Sequence, residues 1–301
     1  MTRPIAGPEV LEQRGNKAAP GLTSRQISPP KDLASARSTS YITADRLYRI
    51  AQDMSERDWQ LLVFVSGCRL ASGQQLIRHF WQTADRTSAV ARAGRRVLKR
   101  LADWRVLDPL PRRIGSRRSG SESTVYSVGR AGARLLAQRG YSGPRIEAPG
   151  ALYVAHTTAC TELVVALHEA DRERELECIE VQSEPACWRG FLGAGAARLM
   201  LKPDLFVRIG AGRASEDLWM IEVDLATEAS GTIRAKALRH LAYYRSASEP
   251  IHPRVLWAVP DERRAEQIAD VLARLPDDAK RLFAICLLDG TVAFLAAEAS
   301  S

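Results

Sequence analysis

Residues 218–228, LWMIEVDLATE, set two carboxylates, Glu222 and Asp224, inside a run of large apolar residues that otherwise reads as a buried strand. Side chains alternate along a strand, so Trp219, Ile221, Val223 and Leu225 share one face while Glu222 and Asp224 share the other. An ionised carboxylate taken out of water without a partner is strongly disfavoured. The acidic face therefore needs a metal, a cationic partner or an exposed cleft.

The 301 residues around this strand are enough for two ordinary domains, and a hydrophobic fraction of 46% supports packed cores. No apolar run approaches the roughly 18 residues of a membrane span, so no membrane partner is expected. The first residues, MTRPIAGPEVLEQRGNKAAPG, lack an apolar signal core, and a cytoplasmic location is the expectation. Cys68, Cys160, Cys178, Cys187 and Cys286 are scattered without a CxxC pair, which fits reduced thiols rather than a disulfide framework. Charge is distributed unevenly. Residues 1–150 carry 26 Lys and Arg against 12 Asp and Glu, net +14, whereas residues 151–301 carry 17 against 23, net −6. A basic half suits a polyanion, of which nucleic acid is the commonest.

Residues 1–42 are rich in Pro, Gly, Ser and Ala without apolar periodicity and read as a disordered leader. Order is expected from there to residue 140. Ser55 and Ser72 each precede a helical pattern, the first with Trp59, Leu62, Val63 and Val65, the second with Leu76, Ile77 and Phe80. A third helix is expected from Thr87 to about Trp104. Val90, Val97, Leu101 and Trp104 fall on one of its faces, and Ser88, Arg92, Arg95 and Lys99 on another, flanked by Arg96 and Arg100. A short strand (RVLDPL), an arginine-studded loop (PRRIGSRRSGSEST), a second strand (VYSV) and a helix from Arg130 follow. Three helices and a two-stranded hairpin are the order of a winged helix. In that fold the third helix would enter the major groove with Arg92, Arg95, Arg96 and Lys99, and Arg112, Arg113, Arg117 and Arg118 would sit on a wing against the backbone or minor groove. Basic helix faces are also commonly just solvated, and winged helices also dock proteins. Double-stranded DNA is the expected partner, because helix and wing are basic together.

Residues 141–152 read as a linker, and 153–297 as a second domain of alternating helix and strand. The expected order is a helix over LYVAHTTACTELVVALHEADRER, strands LECIEVQSE, LKPDLFVRI and EDLWMIEVDLA, a helix TIRAKALRHLAYYRSA, a strand RVLWAVP and a helix DERRAEQIADVLARL. Strands near LFAICLLD and TVAFLA complete a mixed sheet covered by helices, an α+β or α/β arrangement. A strand opening with KPD, a short turn, then a strand bearing Glu-x-Asp resembles the αβββαβ core of the PD-(D/E)xK, restriction-endonuclease-like superfamily. The whole order, a winged helix, then PD, EVDLATE and a Lys-bearing helix with tyrosines, is similar to the replication-relaxation family of bacterial plasmids and mobile elements.

That resemblance implies a metal answer to the acidic strand. Asp204 and Glu222 would be metal ligands joined by Asp224, with Mg²⁺ the ion that hard carboxylate oxygens suit. The metal would polarise a scissile phosphate and activate water. Where the superfamily carries its catalytic lysine this chain has Asp224, and Lys236 on the next helix is the candidate replacement. Glu228 or Glu162 could add a carboxylate. The alternative is structural, with Asp224 paired to Lys236 or Arg239. Tyr243 and Tyr244 lack the His-x-His partner a nicking tyrosine needs, because all five histidines are isolated. His156 and Cys160 lie one helical turn apart, which permits zinc, but without a second ligand pair they read as core packing. Three classes of function remain. One is a plasmid or mobile-element replication or transfer protein that nicks or cuts DNA. Another is a non-catalytic DNA-binding accessory protein or regulator that docks other replication or transfer proteins. The last is a scaffold whose basic half binds protein or RNA.

Overall fold

The computed structural model describes residues 42–300 except 86, 111–123, 142–148, 212–214, 247–251 and 280. The expected wing residues Arg112, Arg113, Arg117 and Arg118 lie outside the described residues. Residues Ile42–Ser301 cluster as one compact unit.

Helix α1 (Ala44–Asp53) precedes the first helix expected at Ser55 and is capped by Thr43, whose hydroxyl accepts from the Arg46 N–H. Helix α2 (Glu56–Cys68) starts at Ser55 and α3 (Gly73–Trp81) at Ser72, each with a reciprocal capping box to Asp58 and Gln75. A two-residue strand β1 (Ala71–Ser72) separates them. Helix α4 (Ala89–Asp103) is capped by Ser88, one residue later than expected. Its buried side is Ala91, Gly94, Leu98 and Leu101, whereas Val90 is exposed, so the packed stripe is rotated from the one the large side chains suggested. Gly94 explains the rotation: a Cβ there would come within 3.0 Å of Ile77 and 3.2 Å of Trp81, so the helix approaches α3 along its smallest residues. Strands β2 (Leu107–Pro109) and β3 (Val125–Val128) pair antiparallel, and β1 joins on the other side of β3. Helix α5 (Arg130–Gln138) closes this layer over a core that includes Leu61, Leu62, Val65, Leu98 and Leu135.

Helix α6 (Ala151–Glu173) leads to β4 (Cys178–Ser183). Two departures from expectation follow. Residues 189–201 hold a hairpin, β5 (Arg189–Leu192) with β6 (Arg198–Leu201), so LKPDLFVRI is interrupted at Lys202–Asp204 before β7 (Leu205–Ala211) begins. Strand β8 (Ser215–Val223), helix α7 (Ser230–Ser246), strand β9 (Arg254–Val259), helix α8 (Glu262–Leu272) and strand β10 (Phe283–Leu287) come next. The expected strand TVAFLA is instead helix α9 (Thr291–Ala299). Its Ala-rich end favours a helix, and a short apolar run cannot separate the two periods by itself.

The main sheet runs β10-β9-β8-β7-β4, with β10, β9 and β8 parallel and β7 and β4 antiparallel to their neighbours. The acidic strand β8 is therefore central. Trp219, Ile221 and Val223 face the core under α6 and α9, as the alternation requires, and the opposite face lies under α7 and α8. Among the described residues, helices and three separate sheets make an α+β architecture. Among the described residues no helix is long and apolar enough to cross a membrane.

Candidate functional site

The carboxyl end of β8 gathers the acidic residues because β7 runs antiparallel beside it. Leu205 pairs with Ile221, so Asp204, one residue before β7, meets the last residues of β8. Its backbone N–H donates to Ile221 O at 3.1 Å, and its Oδ2 accepts from the Val223 N–H at 2.8 Å. The other oxygen, Oδ1, lies 3.0 Å from His156 Nε2 on α6. That hydrogen bond raises the His156 pKa, against the burial that would lower it. One turn further along α6, Cys160 Sγ is 3.7 Å from the same ring nitrogen. Burial, then the charges of Asp204, Glu184 and Glu222, push the Cys160 thiol well above its ordinary range.

Glu222 is buried on the α7 side. Its Oε1 is 2.7 Å from His240 Nε2 and its Oε2 is 3.1 Å from Lys236 Nζ. The Oε2 contact is a close ion pair without hydrogen-bond geometry. Lys236 and His240 lie four residues apart on α7, one above the other, and the lysine also reaches Glu228 Oε1 at 2.8 Å. Burial works against ionisation of both groups. For Glu222 it is outweighed by the hydrogen bond and charge of His240 and by Lys236, so its pKa falls. For Lys236 it is outweighed by the charges of Glu222, Asp204 and Glu228, so its pKa rises.

Asp224 has a cationic partner of its own. Arg264, near the start of α8, grips it with two hydrogen bonds, Nε to Oδ1 at 2.8 Å and Nη2 to Oδ2 at 2.9 Å, and the Ala226 N–H also donates to Oδ1 at 2.6 Å. Arg264 Nη2 further donates to Glu228 O at 2.7 Å, so Asp224 ties the end of β8 to α8 and to the following loop. The partner is neither Lys236 nor Arg239, the two cations the sequence offered. Glu162 is likewise engaged elsewhere, by Gln75 and Arg78 on α3.

The structure thus brings Glu222 and Lys236 together and gives Asp204 and Asp224 separate partners, His156 and Arg264. Among the described residues, His156, Cys160 and Asp204 converge, their ligand atoms all within 4.8 Å of one another. These three could hold a divalent metal. Their only signal in the sequence was the four-residue spacing of His156 and Cys160, because Asp204 arrives from another strand.

Helix α4 turns Arg92, Arg95, Arg96 and Lys99 outward, all exposed. Arg100 points the other way and pairs with buried Asp58 at 2.6 Å, joining α4 to the capping box of α2. Lys99 makes an exposed pair with Asp103 at 2.6 Å, and Arg92 donates to Thr87 O.

A protein-family model described as Replication-relaxation matches residues 62–254, more than half of the chain. No curated protein matches it.

Proposed function

The chain belongs to the replication-relaxation family, and on that premise we propose that it is a double-stranded-DNA-binding protein of plasmid or mobile-element replication or transfer. Residues 43–140 would form its winged-helix module and residues 153–297 a restriction-endonuclease-like module. The observation that carries the reading is the outward cationic face of α4, Arg92, Arg95, Arg96 and Lys99, on a helix held against α3 and followed by the β2–β3 hairpin. A helix presented in this way fits the major groove, with arginines to guanine edges or phosphates.

For the second module, the order α6, β4, β7, β8, α7, β9 supports the nuclease-like reading, as does the proximity of Lys236 to Glu222. Metal-assisted cleavage would draw on Asp204 and Glu222, with Lys236 as the cation near the reacting phosphate. The resemblance implies Mg²⁺, but an imidazole, a thiol and one carboxylate are the donor set of zinc or a related transition metal. A non-catalytic accessory protein that docks replication or transfer partners is the second reading. It is favoured by the partner that each carboxylate already has: His156 for Asp204, Lys236 and His240 for Glu222, and Arg264 for Asp224.

The test is duplex binding by the full chain, followed by fluorescence anisotropy across salt concentrations. Each phosphate contact contributes about −0.9 to the slope of log K against log salt. The triple variant Arg92→Ala/Arg95→Ala/Arg96→Ala is expected to lose at least tenfold in affinity and about 2 to 3 units of slope. Salt-independent binding, or an unaffected triple variant, would remove the DNA reading.

A further inference from the structure

We propose that the cleft between the β5–β6 hairpin and helix α7 seats one or two nucleotides of single-stranded DNA, with Arg198, Lys202 and Arg239 holding the phosphodiester backbone. The proposal rests on the DNA-binding reading only for the identity of the polymer.

The cleft has a volume of about 500 Å³ and is lined by both hairpin and helix. Its walls are joined by packing, because Phe191 on β5 meets Tyr243 on α7 edge to face with ring centroids 5.5 Å apart. In a half of the chain that is net negative, this lining is cationic: Arg198, Lys202, Lys236 and Arg239 contribute four positive charges. Among the described residues that line it, the one carboxylate is Glu222, which is buried and already engaged by Lys236 and His240. Arg198, Lys202 and Arg239 are exposed and form no ion pair with any described residue. Lys202 rests 4.4 Å from the Trp188 ring, a contact that leaves its charge available. Three unmatched cations on facing walls attract a polyanion.

Shape selects the form of that polyanion. A space of this size is in the range of pockets that take one small ligand, about 300–1,000 Å³, and excludes a duplex. Met200, 46% exposed, adds apolar surface beside the cations. Charged rims with an apolar face are what an unpaired strand needs, phosphates to the cations and a base against the carbon surface. Glu222 and Lys236 line the same cleft, so a strand held there would lie beside the carboxylate and lysine of the nuclease-like module.

The experiment measures binding of the full chain to a short fluorescent oligothymidylate and, separately, to a duplex. Arg198→Ala/Lys202→Ala/Arg239→Ala is expected to weaken oligothymidylate binding about tenfold or more. It should also flatten the salt slope by about 2, three contacts at roughly 0.7 each. Duplex affinity should be unchanged. The lysine variant Arg198→Lys/Arg239→Lys keeps the charge and should keep the affinity, and Arg239→Glu alone should weaken it. The α4 triple variant should lose the duplex and retain the oligothymidylate. A failure of the duplex arm alone counts against the α4 reading and leaves the cleft assignment standing. The assignment is overturned if the wild-type chain does not bind oligothymidylate, if the cleft variant binds it with unchanged affinity and slope, or if duplex and single-strand affinity fall together in that variant.

Discussion

Asp224 and Arg264 illustrate how much of this site is held by individual ion pairs. Both are buried and joined by two hydrogen bonds, so removing only the cation leaves a carboxylate with no compensating charge. Arg264→Ala is expected to cost about 3–5 kcal/mol by denaturant unfolding, whereas Asp224→Ala/Arg264→Leu should cost less, because it removes both charges together. A single variant no worse than the double would mean that the pair contributes little. His156, Cys160 and Asp204 make a different prediction. A metal held by the folded state alone stabilises it by about 2.7 kcal/mol at a hundredfold excess over Kd. Zn²⁺ is therefore expected to raise the melting temperature, and Cys160→Ser to abolish most of that rise. A Mg²⁺ response that survives Cys160→Ser but not Asp204→Asn would move the metal to the carboxylates.

At the scale of elements, the contact between α3 and α6 is polar as well as apolar. Gln75 donates to Thr158 O and to Glu162 Oε2, both at 2.9 Å, and Arg78 holds Glu162 and Glu169; beside them Thr161 on α6 donates at 2.7 Å to Leu70 O, just ahead of β1. His79 stacks on Phe64 with centroids 4.4 Å apart and lies 5.1 Å from His168. Burial, then the charges of His168 and Arg172, lower the His79 pKa to about 4. The unfolded chain binds a proton at His79 below its ordinary value of 6.5, while the folded chain does not until about 4. Stability should therefore decline as pH falls through that window. The decline is expected to be shallower in His79→Phe, measured as melting temperature against pH. An identical pH profile in the variant would place the acid sensitivity elsewhere.

At the scale of the molecule, the Pro- and Gly-rich stretch 141–152 was expected to separate two domains, and residues 42–301 cluster as one compact unit in which α3 packs on α6. The two properties make a joint prediction. Limited proteolysis is expected to cut near residues 141–150, after first cutting within 1–42. The two fragments should then co-elute on gel filtration through the α3–α6 contacts, and Arg78→Ala should loosen that association. Fragments that separate at once would mean that the contacts are too weak to hold the halves together; a chain that resists cleavage at 141–150 would count against the linker.

Much of the local structure was legible in the sequence because it is set by short-range rules. Ser55 and Ser72 mark helix starts through their own side chains, and the alternation of Trp219, Ile221 and Val223 defines the apolar face of β8 whatever covers it. The PD and Glu-x-Asp order pointed to the family, and the family match agrees. What the sequence could not supply was which cation each carboxylate meets. Arg264 is 40 residues from Asp224, and His156 is 48 from Asp204, separations that no periodicity encodes. The same limit applies to TVAFLA, whose apolar run suits either period until α6 and the sheet offer it a helical face. Local propensity and alternation are properties of neighbours in the chain. Neutralising a buried charge is a property of neighbours in space, so only the tertiary structure decided how the acidic face of β8 is satisfied.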